Sequence, residues 1–342
     1  MTKRVAPYIS FVATSRNDNH GGDMTKRMCI FVKGLIHQCN QFKVPAELIM
    51  VEWNPPADRP PLKEVLPQVT EDDFLTVRYI VVPTELHQKL RFSERLPLFQ
   101  MIAKNVGIRR ASAPFVLCTN IDLLFSDALF EKLARQDLKT GHYYRANRCD
   151  IPSELDENGR VEDWLTFAAN NILVRLGKSS FYPNLTDTTS FLFRYRWMIP
   201  VFQLASRLKR QISSKAQTIL QELDTEACGD FTLMSKEDWL CIEGYPELEV
   251  YSLHIDSMGL IAASTKNIQQ VVLRYDACTY HLRHSNGWEF ANLRDKLLFY
   301  TNKPVLDWWS IYEYGREAIV SNGEFSFNGA DWGMNDVELV EY

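Results

Sequence analysis

The chain of 342 residues lacks most of the features that sort a sequence quickly. It has no run of about 18 apolar residues, so nothing in it reads as a membrane-spanning helix. Its seven cysteines are scattered, with no CxxC pair. The odd count and the lack of a secretory apolar segment lead us to expect reduced thiols in a cytoplasmic protein. There is no basic excess: the net charge is −5, so no global positive field favours nucleic acid. GxGxxG and GxxxxGK[ST] are both missing, which weakens dinucleotide and P-loop readings. No internal repeat is visible.

What is present is a real core. Hydrophobic residues make up 46% of the chain and aromatics 12%, with Trp and Tyr crowded into the C-terminal third. The length suits roughly two domains or one large α/β domain with additions. Strands are expected at 8–14, 48–53 and 77–82, and helices at about 24–39 and 98–108, with Asp23 a plausible cap for the first helix. The run Phe115 to Cys118 is short, apolar and β-prone, as for a strand buried on both faces, and Ser126 should cap a helix beginning at Asp127. Alternation of this kind predicts an α/β fold with a mostly parallel central sheet flanked by helices.

The later chain is more punctuated. An edge strand is expected at 142–148 and strands at 230–234 and 271–275. Helices are expected from Ser235 to Gly244, over 256–263, and from Asn286 to about 298, followed by an irregular tail after 320. Segment 191–215 has six cations, no acid and an apolar helical face. It can pack on the core or lie on an anionic membrane surface, so peripheral contact with the inner face of a membrane is an alternative expectation.

Asp122 is the centre of the chemical reading. A carboxylate at the carboxyl end of a buried parallel strand faces the crevice where open α/β sheets bind ligands, and there it can hold a divalent cation on a diphosphate. His281 and His284 are candidate partners, since neutral imidazole ligates Mn²⁺ or Zn²⁺. Three residues apart in an extended segment, only one of them should reach the cation. In the first loop, Arg16 suits phosphate and Asp18 a base or ribose. Glu52, at the end of the second strand, can do the same or be a plain loop acid. Glu243, Glu247 and Asp256 share a dense stretch. Asp256, among apolar neighbours and two residues after His254, either caps a helix or serves as a base. Asp230 is a second acid at a strand start.

Four stretches together resemble a nucleotide-sugar-dependent glycosyltransferase of the GT-A fold, in its bacterial polysaccharide-type branch. They are Phe11-Val-Ala-Thr-Ser-Arg-Asn-Asp18, Lys104-Asn-Val-Gly-Ile-Arg-Arg-Ala111, Asn120-Ile-Asp122, and the series from Gly229-Asp-Phe-Thr-Leu-Met234 through Gly244-Tyr-Pro-Glu247 and His254-Ile-Asp256 to Tyr280-His281. The resemblance implies that Thr14, Arg16 and Asp18 hold the nucleotide and that Glu52 touches its base. It implies that Asn120 and Asp122 stand where the family has an Asp-x-Asp metal and diphosphate motif, with Asn120 a departure. Asp256 inherits the base of inverting members, and Asp230 is the alternative. The implied cofactor is Mn²⁺ or Mg²⁺, the donor a nucleoside-diphosphate sugar with UDP favoured, and the acceptor a glycan or lipid-linked glycan. The expected organisation is a nucleotide-sugar half over 1–150, a variable insertion over 151–225 and an acceptor-side half over 226–342 completing the same domain. The competing readings are nucleotidyl transfer, which the first loop disfavours by offering Arg16 alone, and a degenerate glycan-binding scaffold, which Asn120 favours.

Overall fold

The computed structural model describes residues 5–177, 182–183, 201, 204, 215–284, 294, 303–321 and 326–342. The first part alternates strand and helix: β1 (Ile9–Ser15), α1 (Met24–Phe42), β2 (Ala46–Trp53), α2 (Leu62–Val65), β3 (Leu75–Val82), α3 (Thr84–His87), α4 (Gln100–Arg110) and β4 (Phe115–Thr119). Every residue of β1, β2 and β4 is buried. The reason is that successive side chains point to opposite faces and both faces are covered. Phe11, Met50 and Leu117 join the core beneath α1, whereas Val12, Val51 and Cys118 join the core beneath α4.

The chain continues with β5 (Leu123–Phe125), α5 (Asp127–Ala134), β6 (His142–Arg145), β7 (Asn147–Ile151), α6 (Val161–Asn170), β8 (Val174–Leu176), β9 (Tyr182–Pro183) and α7 (Lys215–Glu222). Then come β10 (Phe231–Ser235), α8 (Lys236–Cys241), α9 (Ile255–Thr265), β11 (Gln269–Val272), β12 (Cys278–Leu282), α10 (Trp308–Val320) and β13 (Val340–Glu341). Eight strands form the central sheet in the order β11-β6-β10-β4-β1-β2-β3-β13, and five form a second sheet, β5-β12-β7-β8-β9. In the central sheet β1, β2, β3 and β4 run parallel, as do β6 and β11, while β10 and β13 are antiparallel to their neighbours. This is the expected α/β class with a mostly parallel central sheet. Strand order reverses between β2 and β4 on either side of β1, which opens a crevice at their carboxyl ends.

Local signals act as their chemistry demands. Ser126 Oγ accepts from the Leu129 N–H and Ser235 Oγ from the Asp238 N–H, so both serines cap the helices read from sequence. Asp23 does precede α1, but with φ 47° and without a side-chain cap bond. The expected edge strand at 142–148 is two strands in two sheets, and β6 is no edge, lying between β10 and β11. Its polar tyrosines tolerate burial because Tyr143 donates to Gln270 Oε1 and the Tyr144 hydroxyl accepts from the Lys139 N–H. The basic segment 191–215, apart from isolated positions, and the helix expected from Asn286 lie outside the described residues. No described helix is long and apolar enough to cross a membrane.

Candidate active site

One cleft of about 840 Å³ opens at the carboxyl ends of β1 and β4. Thr14, Arg16, Asp18, Asn120, Asp122, Asp230, Asp256, His281 and His284 all line it. Glu52 does not. It is buried below α2, where its Oε1 accepts from the Leu62 N–H at 2.9 Å, so the second-strand acid anchors the start of a short helix instead of facing a nucleotide. Burial raises its pKa, with that N–H bond opposing.

The corner around Asp122 depends on β5. This three-residue strand follows Asp122 immediately and pairs antiparallel with β12, Leu123 opposite His281. The Leu282 N–H also donates to the Asp122 carbonyl, at 3.0 Å. Asp122 and the end of β12 are therefore side by side. His281 projects from the strand with Nε2 3.7 Å from Asp122 Oδ2. The chain leaves the strand after Leu282, and His284 turns back to put Nε2 2.8 Å from the same oxygen. Both imidazoles thus reach Asp122, contrary to the expectation that only one would, because the segment stops being extended between them. One ligand atom from each of Asp122, His281 and His284 lies within 4.8 Å of the others, the only such group among the described residues.

Charges around this corner are strongly coupled. Burial works against the Asp122 carboxylate, but the two imidazoles hold its pKa well below the ordinary range. Burial and Arg148 push His281 down, and Asp122 and Asp150 outweigh them, holding it up at about 9. Asp150 Oδ1 stands 3.2 Å from His281 Nδ1. At that distance the carboxylate offsets charge on the ring, although Nδ1 makes no aligned hydrogen bond to it. Asp122 Oδ1 is buried with no hydrogen-bond partner among the described residues. Two imidazoles, one carboxylate and an unpartnered buried oxygen suit a divalent first-row cation better than Mg²⁺, which prefers oxygen ligands throughout.

Sequence reasoning missed three cations. Arg27, on α1, donates from Nη1 to Asp122 Oδ2 at 3.3 Å and from Nη2 to the carbonyls of His20 and Gly22, bracing the first loop against Asp122. Its signal was its place on the same helical face as Met24, Met28 and Phe31. Lys104 is fully buried, likewise on the apolar face of α4 with Met101 and Ile108. Arg148, on β7, donates to Asp150 and Asp230 at 2.6 and 3.1 Å.

The motif on α4 has a physical account. Asn105 donates to the Tyr245 carbonyl and accepts from its N–H, pinning the Gly-Tyr-Pro turn. Gly107 lets the helix approach β1, since a Cβ there would lie 2.4 Å from Val12 Cγ1. Arg110 donates to the carbonyls of Gly333, Met334 and Val337, holding the tail. Glu247 accepts from Asn105 and from the Gly333 N–H, so it belongs to this scaffold.

Asp256 lies in the first turn of α9 and lines the same cleft. Its Oδ2 accepts from the Gly229 N–H at 2.7 Å and its Oδ1 from the Ser257 N–H at 2.9 Å. A side chain at 229 would meet Oδ2 at 2.9 Å, so the close approach uses a glycine. His254, with φ 63°, also lines the cleft; burial lowers its pKa and Asp256 opposes. In the first loop, Arg16 Nη1 donates to the Pro97 carbonyl at 3.3 Å and Arg16 Nε lies 3.3 Å from Asp18 Oδ2. Thr14 Oγ1 donates to the Val51 carbonyl.

No sequence family and no curated protein matches the chain. Solved structures overlap it weakly. The catalytic domain of Drosophila β1,4-galactosyltransferase 7, in complex with xylobiose, is 10% identical with a TM-score of 0.39, over 90% of this chain and 79% of that one. S. aureus TarS 1–349 is 11% identical with a TM-score of 0.41, over 92% of this chain and 71% of that one. A longer S. aureus TarS chain is 13% identical with a TM-score of 0.38, and the overlap covers 80% of this chain and 36% of that one. Scores of this size establish no common fold.

Proposed function

We propose that this protein is a glycosyltransferase that takes a sugar from a nucleoside-diphosphate donor, UDP-linked for preference, and delivers it to a hydroxyl of a glycan or lipid-linked glycan. The observation that carries the reading is the convergence of Thr14, Arg16, Asp18, Asn120, Asp122, Asp230, Asp256, His281 and His284 on one cleft at the switch point of the sheet.

Asp122, His281 and His284 would hold a divalent cation, Mn²⁺ before Mg²⁺ given the two imidazoles. When bound, such a cation neutralises charge growing on a departing diphosphate. Arg27 and Arg16 add fixed positive charge on that side of the cleft. Asp256, which lines the same cleft, takes the proton from the acceptor hydroxyl. The acceptor oxygen then bonds the anomeric carbon, the bond from that carbon to the diphosphate breaks, and the nucleoside diphosphate leaves with the electron pair. Backbone donors from Gly229 and Ser257 fix the Asp256 carboxylate while leaving it acceptor capacity toward the cleft. Asp256 suits the base better than Asp230, because Asp230 is ion-paired with Arg148, whereas the Asp256 carboxylate takes bonds from neutral backbone N–H groups. Transfer from the face opposite the leaving group would invert the anomeric centre.

A second reading has its own observation. Arg27 already brings a cation to Asp122 Oδ2, which favours a cleft that binds a nucleotide or glycan with no metal and no turnover. Thermal-shift measurements with UDP, GDP and CDP, with Mn²⁺ and with EDTA, separate the two, because a ligand of the native state raises its melting temperature. Stabilisation by UDP that needs Mn²⁺, with slow hydrolysis of a UDP-sugar, supports the transferase. Stabilisation undiminished by EDTA and no hydrolysis supports the binding module. No shift with any nucleoside diphosphate would sink the transferase and the nucleotide-binding form of the second reading, leaving only glycan binding.

A further inference from the structure

The acid immediately before β10, Asp230, explains why position 120 carries an amide. The Asp230 side chain is 7% exposed, at the cleft wall. Arg148 Nη1 donates to its Oδ2 at 3.1 Å, and Asn120 Nδ2 donates to its Oδ1 at 2.6 Å. At the other end of the same amide, Asn120 Oδ1 accepts from Lys104 Nζ at 2.9 Å and from Gln100 Nε2 at 2.7 Å. The direction of the amide is forced. An ammonium can only donate and a carboxylate can only accept, so oxygen must face Lys104 and nitrogen must face Asp230. An acid at 120 would suit Lys104 but would set two carboxylates against each other where a 2.6 Å hydrogen bond now stands. Lys104 Nζ also donates to the Gly229 carbonyl at 2.7 Å, and the Gly229 N–H donates to Asp256. One series of bonds therefore joins Arg148, Asp230, Asn120, Lys104, Gly229 and Asp256 beside the cleft.

We propose that Asn120 is a positioning residue and not a lapsed metal ligand: it holds the Asp230 carboxylate against Arg148 and facing the cleft, where Asp230 accepts hydrogen bonds from hydroxyls of the bound sugar. A carboxylate has about four acceptor sites, and two of these are taken by Asn120 and Arg148. The sugar role rests on the donor-site reading above; the role of Asn120 rests on the hydrogen-bond pattern alone.

The test compares wild type, N120D, D230N and the exchange variant N120D/D230N. Each is followed by thermal unfolding, by calorimetric titration with Mn²⁺ alone, and by Mn²⁺-dependent hydrolysis of UDP-glucose, UDP-galactose and UDP-N-acetylglucosamine. N120D should melt well below wild type and bind Mn²⁺ no more tightly. The exchange variant again pairs an amide with a carboxylate, and it gives Lys104 a direct counter-charge, so its melting temperature should return to that of wild type. Its hydrolysis should stay at least about tenfold down, as in D230N, because the acid has moved; that is the scale of one hydrogen bond to a charged group. Mn²⁺ binding by N120D about tenfold tighter at an unchanged melting temperature would overturn the proposal, as would full hydrolysis by the exchange variant. If the wild type binds no Mn²⁺ and hydrolyses nothing, the donor-site reading and the sugar role fall, and the melting temperatures decide position 120: recovery in the exchange variant upholds Asn120 as the partner of Asp230, and no recovery overturns it.

Discussion

The two sheets meet at the cleft but are assembled differently. In the central sheet, β1, β2 and β3 are neighbours in sequence and in space, each one crossover from the next. In the second sheet, Leu123 pairs with His281 and Cys149 with Tyr280, across most of the later chain. Thr14, Arg16 and Asp18 sit on the locally built side, while His281 and His284 reach Asp122 only when the distant pairing forms. Long-range pairing must meet its loop-closure entropy before any contact repays it. The cation corner is therefore a property of the completed fold, and the first loop is a property of one βαβ unit.

The largest effect should come from cutting the two sides apart at Asp122. Asp122→Ala removes the shared partner of Arg27, His281 and His284 and leaves Arg27, with a side chain 5% exposed, without its counter-charge. Losing one half of a buried pair costs about 3–5 kcal/mol. We expect a lower urea midpoint, lost Mn²⁺ binding, and UDP-sugar hydrolysis down by about 10²–10³, the usual scale for one electrostatic group at the reacting centre. Normal hydrolysis and Mn²⁺ affinity in this variant would show that the corner has no part in the chemistry.

The central sheet alone is broken by Gly107→Ala. The added Cβ would lie 2.4 Å from Val12 Cγ1 and 3.3 Å from Val51 Cγ2, inside the core between α4 and the sheet. Overpacking of this kind costs about 1–3 kcal/mol, of which the better helix propensity of alanine returns up to about 1 kcal/mol. The urea midpoint should fall while Mn²⁺ affinity of the folded protein stays at the wild-type value. A midpoint at or above wild type would mean that helix and strand have room to spare.

This contrast in assembly also decides what can be read in the sequence. Continuous apolar runs reveal β1 to β4, and the abrupt end of Phe115-Val-Leu-Cys118 in Asn120-Ile-Asp122 marks the rim of the sheet. Ser126 and Ser235 are legible because a helix cap is a local bargain between one hydroxyl and one N–H. The strand β5 is not legible: Leu123-Leu-Phe125 is three residues long, and only β12, which is remote, makes it a strand. The break between β6 and β7 is hidden for the same reason, since nothing within 142–151 says that the two pieces join different sheets. Arg27 and Lys104 carry a faint signal as cations on apolar helical faces, but their partners Asp122 and Asn120 come from other elements. Glu52 misleads because position at a strand end predicts exposure to the cleft, and α2 folds over it.

The smallest effect is the most discriminating, because it compares two caps of the same chemistry on the two sides. Ser235 Oγ accepts from the Asp238 N–H and donates to Asp238 Oδ2, all within its own helix start. Ser126 Oγ accepts from the Leu129 N–H, but it also accepts from the Cys278 N–H at 3.0 Å and donates to the Asp276 carbonyl at 2.8 Å, clasping the first residue of β12. Ser235→Ala should cost about 1 kcal/mol, the value of a cap, with Mn²⁺ affinity unchanged. Ser126→Ala loses a cap and strands the buried Cys278 N–H, adding about 1 kcal/mol more. Because Cys278 begins the strand that carries His281, Ser126→Ala should also weaken Mn²⁺ binding severalfold in calorimetric titration. Equal losses of stability in the two variants, with no change in Mn²⁺ affinity for either, would mean that β12 holds its place without the clasp and that the cation corner owes nothing to the cap beside it.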